Sequence, residues 1–385
     1  MDKQRVGLLG VLCTAGLVTL AAACSSTAAE QPADFEDGFA RSAGDSGAGA
    51  TRFGEGGVGS ADTKACTSNG DCGSGECNPA TRTCACGGQS VAATRVQANL
   101  LVVLDRSCSM TDAIPSGGTK WAASVAALSQ LMTKYEADIR FGLTLFPDKA
   151  GENCSQGTIP FPVGSAAQTM RTRLTQTLNQ GDPLFPNGPC VTNIDTGMLQ
   201  AKTDPSLFDK SRPSFVVLVT DGIQSPDCSA GGANLGTLKA VKDLALAGVG
   251  TFVVGFGAGV DSSFLDSVAL AGGHARLGAP HLYFDASDQA SLDAALLAIG
   301  GSTLSCELKL ATPPPGANAD DIYVFFDGKP TPVPRDPARK NGWDYDGTTQ
   351  SVRFFGAPCD LLKSGAVQKE SVVLGCGAGV APAPR

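Results

Sequence analysis

The sequence predicts an α/β fold. Its centre is a Rossmann-like, doubly wound, mostly parallel sheet, preceded by a small disulfide-rich module and followed by a small β-rich domain. Three observations carry this expectation. Apolar runs alternate with amphipathic segments between residues 95 and 302, the pattern of strands that alternate with covering helices. Cys66, Cys72, Cys77, Cys84 and Cys86 crowd a short Gly/Asn-rich stretch, residues 63–88, that has too little apolar material for a core. From residue 303 to 385 short alternating runs are separated by Pro and Gly clusters.

The N-terminus reads as an export signal over residues 1–23. Lys3 and Arg5 precede an apolar stretch from Val6 to Ala23. The stretch ends Leu20-Ala21-Ala22-Ala23-Cys24-Ser25-Ser26 and resembles a bacterial lipoprotein signal. The resemblance implies that Cys24 is acylated and becomes the mature N-terminus. That pattern prefers Leu, Val or Ile three residues before the Cys, where this chain has Ala21. A plain signal cleaved after Ala23 is the alternative reading, and an uncleaved membrane helix is a third. Ser25, in place of an acidic residue, points to the outer membrane of a bacterial envelope.

Residues 24–62 are rich in Gly, Ala, Ser, Asp and Glu and read as a disordered tether with a reach of about 35 Å. In the module that follows, Cys84-Ala85-Cys86 raises zinc as a competitor to disulfides. The paired Cys-x-x-Cys spacing of structural zinc sites is absent there.

Within residues 95–302 the expected strands are 99–105, 139–146, 214–220, 250–256 and 281–285. The expected helices are 119–134, 166–179, 193–202, 234–247, 262–271 and 288–299. Trp121, Val125, Leu128, Leu131 and Met132 share one helical face. Open parallel sheets bind ligands at the carboxyl ends of their strands, and Asp105 and Asp221 fall there. In the last segment, Cys306–Leu310, Ile322–Phe326, Val352–Phe355 and Val372–Leu374 alternate as strands do.

The first strand, Leu100-Leu101-Val102-Val103-Leu104, breaks into Asp105-Arg106-Ser107-Cys108-Ser109. A second run, Phe215–Val219, breaks into Thr220-Asp221-Gly222, and Val191-Thr192-Asn193 lies between them. Carboxylate and hydroxyl oxygens are hard ligands, suited to Mg²⁺ or Mn²⁺ rather than zinc. These segments resemble the metal-ion-dependent adhesion site of the von Willebrand factor A family, whose pattern is Asp-x-Ser-x-Ser, then Thr, then Asp. The resemblance implies direct ligation by Ser107, Ser109 and Thr192, with Asp105 and Asp221 acting mainly through bound water. Three neutral hydroxyls would leave the ion electrophilic toward an Asp or Glu carboxylate on a partner protein. Helix capping is the plainer explanation for Ser109, Thr192 or Asp221 taken singly. Asp195 reads as a helix first-turn acid. Thr111, Asp112, Gln224 and Ser225 flank the loops and are candidates for partner contacts.

The family usually has a small residue where this chain has Cys108. A Cys108–Cys190 disulfide would join two ligand loops. Cys154–Cys190 with Cys108–Cys228, or a free Cys108, stand as alternatives, since spacing does not settle connectivity. Without Cys13 and Cys24 the remaining cysteines divide unevenly. The module has an odd number, the central segment holds Cys108, Cys154, Cys190 and Cys228, and the tail holds Cys306, Cys359 and Cys376. A bridge from the module to the tail, Cys86 with Cys306 or another tail cysteine, would balance them.

Composition narrows the function. The 385 residues are 42% hydrophobic and 17% charged, enough for one full core and a smaller one. The net charge of −8, with no Lys/Arg cluster, argues against nucleic acid. Fourteen cysteines fit an exported protein. The only histidines, His274 and His281, sit in no catalytic spacing, and neither a Gly-x-Ser-x-Gly elbow nor a His-Glu-x-x-His is present. Gly255-Phe256-Gly257-Ala258-Gly259-Val260 lacks the third glycine of a dinucleotide loop and reads as a tight turn. The expectation is therefore a lipid-anchored binding or adhesion protein and not an enzyme. A passive envelope scaffold and a metal-dependent hydrolase are the alternatives.

Overall fold

The computed structural model describes residues 65–68, 71, 76–77, 82, 84–85, 89–148, 154, 156–188, 190–311, 319–375 and 382. The expected signal, Cys24, the tether, Cys72, Cys86, Cys376 and the side chain of Cys84 lie outside them.

Cys66 and Cys77 are bridged across 11 residues, and β1 (Glu76–Cys77) pairs antiparallel with β2 (Cys84–Ala85). The Asp71 carboxylate accepts from the N–H groups of Thr67 and Ser68 at 2.8 and 2.9 Å, and these bonds hold it down at about 2. Next come β3 (Gln89–Val91) and β4 (Ala93–Arg95).

The parallel sheet starts with β5 (Ala98–Asp105). It continues through α1 (Lys120–Tyr135), β6 (Ile139–Phe146), α2 (Ala167–Gln176), α3 (Ile194–Ala201) and β7 (Ser214–Thr220). It ends with α4 (Ala233–Leu246), β8 (Val249–Phe256), α5 (Ser262–Ala271), β9 (Phe284–Ala286) and α6 (Gln289–Thr303). The strand order is β6-β5-β7-β8-β9, all parallel. Every residue of β5 is buried, because helices cover both of its faces. Leu100, Val102 and Leu104 pack with Trp121, Leu128, Met170, Leu292 and Ile299 of α1, α2 and α6. Leu101 and Val103 face the other way, toward Ile194, Met198, Val241, Leu244 and Val268 of α3, α4 and α5. Each large side chain of the α1 stripe, fully buried, contributes roughly 1.5–3 kcal/mol. Side chains at the N-caps fix where helices begin. Thr119 accepts from Ala122 N at 3.2 Å, Asp261 from Phe264 N at 3.0 Å, and Asp288 forms a capping box with Ser291.

The β-rich part comprises β10 (Glu307–Leu310), β11 (Ile322–Phe326), β12 (Gly342–Asp346), β13 (Ser351–Phe355), α7 (Ala357–Ser364) and β14 (Glu370–Leu374). Residues after 303 do not complete it alone. β4 pairs with the edge of β10 in the sheet β12-β13-β10-β4, and β3 pairs with β14 in the sheet β11-β14-β3. Val91 and Ala93 pack on the core of Leu308, Val324, Trp343, Val352, Phe354 and Val372.

Cys306 is bonded to Cys359, which overturns a bridge from Cys86 to either of them, while a pairing of Cys86 with Cys376 lies outside the described residues. Cys306 precedes β10, and Cys359 lies in the first turn of α7, which packs against β13 beside β10. Their Cα atoms are 5.3 Å apart, ordinary disulfide geometry. The described part of the chain belongs to one compact unit, Gly57–Arg385.

Candidate metal centre

Three chain segments meet at the carboxyl end of the parallel sheet: the loop after β5, the loop before α3 and the loop after β7. Asp105 is the last residue of β5 and is fully buried. Its Oδ1 accepts from Ser107 N at 2.8 Å and its Oδ2 from Thr220 Oγ1 at 2.6 Å. Those bonds fix the carboxylate and fold the following turn back over it. Burial, and after it the nearby Asp221 charge, push the Asp105 carboxyl far above the ordinary carboxylate range.

Ser107 Oγ and Ser109 Oγ lie 3.0 Å apart. Ser109 Oγ donates to Asp221 Oδ1 at 2.9 Å, and Ser107 Oγ approaches the same oxygen at 3.5 Å. Asp221 is itself 1% exposed. Thr192 comes from the third segment and is held by a two-way clasp. Its N–H donates to Ser225 Oγ at 2.8 Å, and its carbonyl accepts from Ser225 N at 2.9 Å. A Cβ on Gly222 would stand 3.2 Å from Thr192 Oγ1, so the hydroxyl lies against the residue that follows Asp221. Glycine at 222 permits that approach. Ser107, Ser109, Thr192, Asp105 and Asp221 are thus gathered at one place.

The donor set fits a hard divalent cation. It is all oxygen, it includes two buried carboxylates, and the Ser107 and Ser109 hydroxyls meet at Asp221. Among the described residues no group of three His, Cys, Asp or Glu side chains could hold a metal, here or elsewhere, so an ion at this site would depend on the hydroxyl oxygens as well as the two carboxylates.

Disulfides brace the same loops. Cys108–Cys190 and Cys154–Cys228 are the bonded pairs, which removes the Cys154–Cys190 and Cys108–Cys228 alternative and the free Cys108. Cys108 lies between the two serines and Cys190 two residues before Thr192, so direct bonding follows from the loops' adjacency.

Other expected residues take different places. Gln224 is buried, accepting from Asp195 N at 3.0 Å and donating to Cys228 O at 2.5 Å. Ser225 is committed to Thr192. Neither is placed for partner contact, whereas Ile223 of that loop is exposed, at 55%, as are Pro226, Asp227, Ser229 and Ala230. Asp112 is largely exposed, while Thr111 bonds Cys108 O at 2.8 Å. Asp195 is fully buried and accepts from Thr196 N, Gly231 N and Ala233 N at 2.8, 2.9 and 2.9 Å. It therefore joins the start of α3 to the start of α4, a wider role than a first-turn acid.

Two residues escaped the sequence reading. Arg106 is fully buried and ties the serine loop to Pro147 O at 2.8 Å and Phe185 O at 3.2 Å. Lys120 Nζ reaches Asp221 Oδ2 at 2.7 Å. The signal for Lys120 was its position, because a cation in the first turn of a helix opposes the dipole.

His274 lies by β8's amino end, its ring stacked on Phe252 with centroids 4.2 Å apart. A Cβ on Gly250 would collide with it. His281 stacks on Tyr283, with Nδ1 3.8 Å from Asp266 Oδ2. Neither approaches Asp105 or Asp221 in the contacts of the site.

The family profile of the von Willebrand factor type A domain matches residues 99–295, just over half of the chain, and the protein belongs to that family. Among solved structures the chain is similar to proximal thread matrix protein 1 from the mussel byssus, at 18% identity and a TM-score of 0.39. That match covers 56% of this chain and 50% of the other, so this chain spans half the length of the mussel protein. It is also similar to the BatB protein of Bacteroides thetaiotaomicron, at 15% identity, covering 51% of this chain and 94% of that one, with a TM-score of 0.38. A third likeness is the manganese-loaded TRAP protein of Plasmodium vivax, at 16% identity, covering 54% and 76%, with a TM-score of 0.39. No curated protein matches the chain.

Proposed function

We propose that this protein is an exported binding protein that captures a protein ligand through a Mg²⁺ or Mn²⁺ ion held at the carboxyl end of the sheet. The observation that carries the reading is the meeting of Ser107 and Ser109 hydroxyls with Asp221 Oδ1, within 3.5 Å, above the buried Asp105. Ser107, Ser109 and Thr192 would hold the ion with neutral oxygens, and Asp105 and Asp221 would supply negative charge. A bound ion would offer its remaining positive charge to an Asp or Glu carboxylate of the ligand. Ile223, exposed beside Asp221, offers an apolar contact at the rim.

In this reading the site acts by binding, through the ion, and not by catalysis. Cys24 is the proposed lipid attachment point, and Ser25 favours the outer membrane of a bacterial envelope. Mass spectrometry of the membrane-extracted protein, with fractionation of the two membranes, tests both statements. A non-acylated N-terminus or an inner-membrane location removes them.

The experiment for the site is calorimetric titration of Mg²⁺ and Mn²⁺ into the oxidised protein and its Asp221→Ala variant. Saturable binding that disappears in the variant is the expected result. A correctly folded wild type that takes up neither ion would leave the domain as a passive envelope scaffold.

A further inference from the structure

We propose that Lys120 is a built-in counter-ion of the metal site, which holds the ion-free site together and lowers its affinity for a divalent cation. The inference rests on the reading of that site as a metal centre.

Lys120 Nζ lies 2.7 Å from Asp221 Oδ2 and 3.5 Å from Asp112 Oδ2. The two partners differ. The Asp112 side chain is 63% exposed and the Asp221 side chain 0%, while the lysine itself is 12% exposed. Water and salt screen the first contact, so the pair with Asp221 dominates. Asp221 divides its oxygens: Oδ1 faces the serine hydroxyls and Oδ2 faces the ammonium. The ammonium and the hydroxyl cluster therefore engage different oxygens of one carboxylate.

Nothing in the helix asks for a lysine there. Lys120 is the first residue of α1, whose first turn contains no acid, and a cation at that end opposes the helix dipole. The backbone makes room for it. Gly257, at φ +89°, would bring a Cβ to 3.2 Å from Lys120 Cε, so the loop after β8 leaves space for the lysine stem.

Without an ion, two buried carboxylates share one cluster of hydroxyls, and the ammonium neutralises one of them. A doubly charged ion entering the cluster feels that ammonium across a single carboxylate. Lys120 thus exchanges affinity for ion-free stability. A neutral side chain at 120 reverses both effects.

The test is calorimetric titration of Mn²⁺ into the oxidised full chain, wild type against Lys120→Met, Lys120→Gln and Lys120→Arg, with thermal melts before and after saturation. Met and Gln are expected to melt lower than wild type without the ion and to bind Mn²⁺ about tenfold more tightly. Saturating Mn²⁺ should raise their midpoints by more than it raises the wild type's. Arg keeps the charge and should stay near wild type in both readouts. Unchanged or weaker Mn²⁺ binding in both neutral variants overturns the inference, because Lys120 would then act as an ordinary ion pair or only orient Asp221. If Met fails to fold, Gln, which keeps a hydrogen bond without the charge, decides alone. Absence of saturation in the wild type with saturation gained in a neutral variant supports both the site and the counter-ion, whereas absence in every form overturns the reading of the site and the inference with it.

Discussion

Cys108 and Cys190 are bonded to each other with their Cα atoms 4.7 Å apart, so the loop that bears Ser107 and Ser109 cannot move independently of the loop that bears Thr192. The bond spans 82 residues. A cross-link of that length removes much of the freedom of the unfolded chain, commonly about 2–4 kcal/mol. It also sets how far apart the hydroxyl ligands can stray. A Cys108→Ala, Cys190→Ala double variant should therefore lose both stability, by about 2–4 kcal/mol, and Mn²⁺ affinity, by about tenfold. Denaturant melts and calorimetry read the two losses separately. A variant that loses stability but keeps full affinity would show that the loops are held by their hydrogen bonds alone.

Asp195 is the second brace. Its carboxylate is fully buried and gathers three N–H groups, from Thr196, Gly231 and Ala233. Bonds from N–H to a charged acceptor are stronger than neutral ones, and removing the acceptor leaves buried donors without a partner. Asp195→Ala should cost about 3 kcal/mol. It should also speed amide exchange at Gly231 and Ala233, measured by hydrogen-exchange mass spectrometry. No change in exchange at either amide would count against this role.

The parallel sheet was legible because its signals are local. Five apolar runs alternate with helical stripes, and the ligand residues stand where the runs break. The family's order of Asp105, Ser107, Ser109, Thr192 and Asp221 did the rest. What stayed hidden depends on contacts far apart in sequence. β3 and β4 have three residues each, too few for a period to show, and they become strands only by pairing with β14 and β10. Gln224 looks like a surface residue until α3 closes over it. Lys120 looks like a misplaced helix cation until β7 brings Asp221 to it. Disulfide partners follow from loop adjacency, which spacing does not encode.

The borrowed strands carry a prediction of their own. Leu308 pairs with Arg95, and Val372 with Val91. Arg95 also bonds Glu370 on β14 and lies 3.5 Å from Asp138. A chain starting at residue 96 would expose the edges of β10 and β14 as unpaired backbone, a template for aggregation. A chain starting at residue 65 keeps both edges covered. Light scattering on heating should show aggregation at a lower temperature for the first than for the second. Equal behaviour would mean that the β-rich part closes without residues 89–95.

His274 gives a pH dependence whose sign is fixed by its surroundings. Burial lowers its pKa below the ordinary histidine value of 6.5, and the Lys363 charge lowers it further. The ring stacks on Phe252 and meets Phe215 edge-on at 5.4 Å, so the fold favours the neutral form. Well above 6.5 the imidazole is neutral in both states and its contribution to stability is complete. As pH falls below that value, the unfolded chain takes up the proton first. Stability then declines until the folded pKa is passed. His274→Phe keeps an aromatic ring against Phe252 and removes the titration. Between about pH 7.5 and 5.5, the wild type should lose more stability than His274→Phe, as measured by urea midpoints. Equal losses in the two proteins would assign the acid sensitivity to other groups.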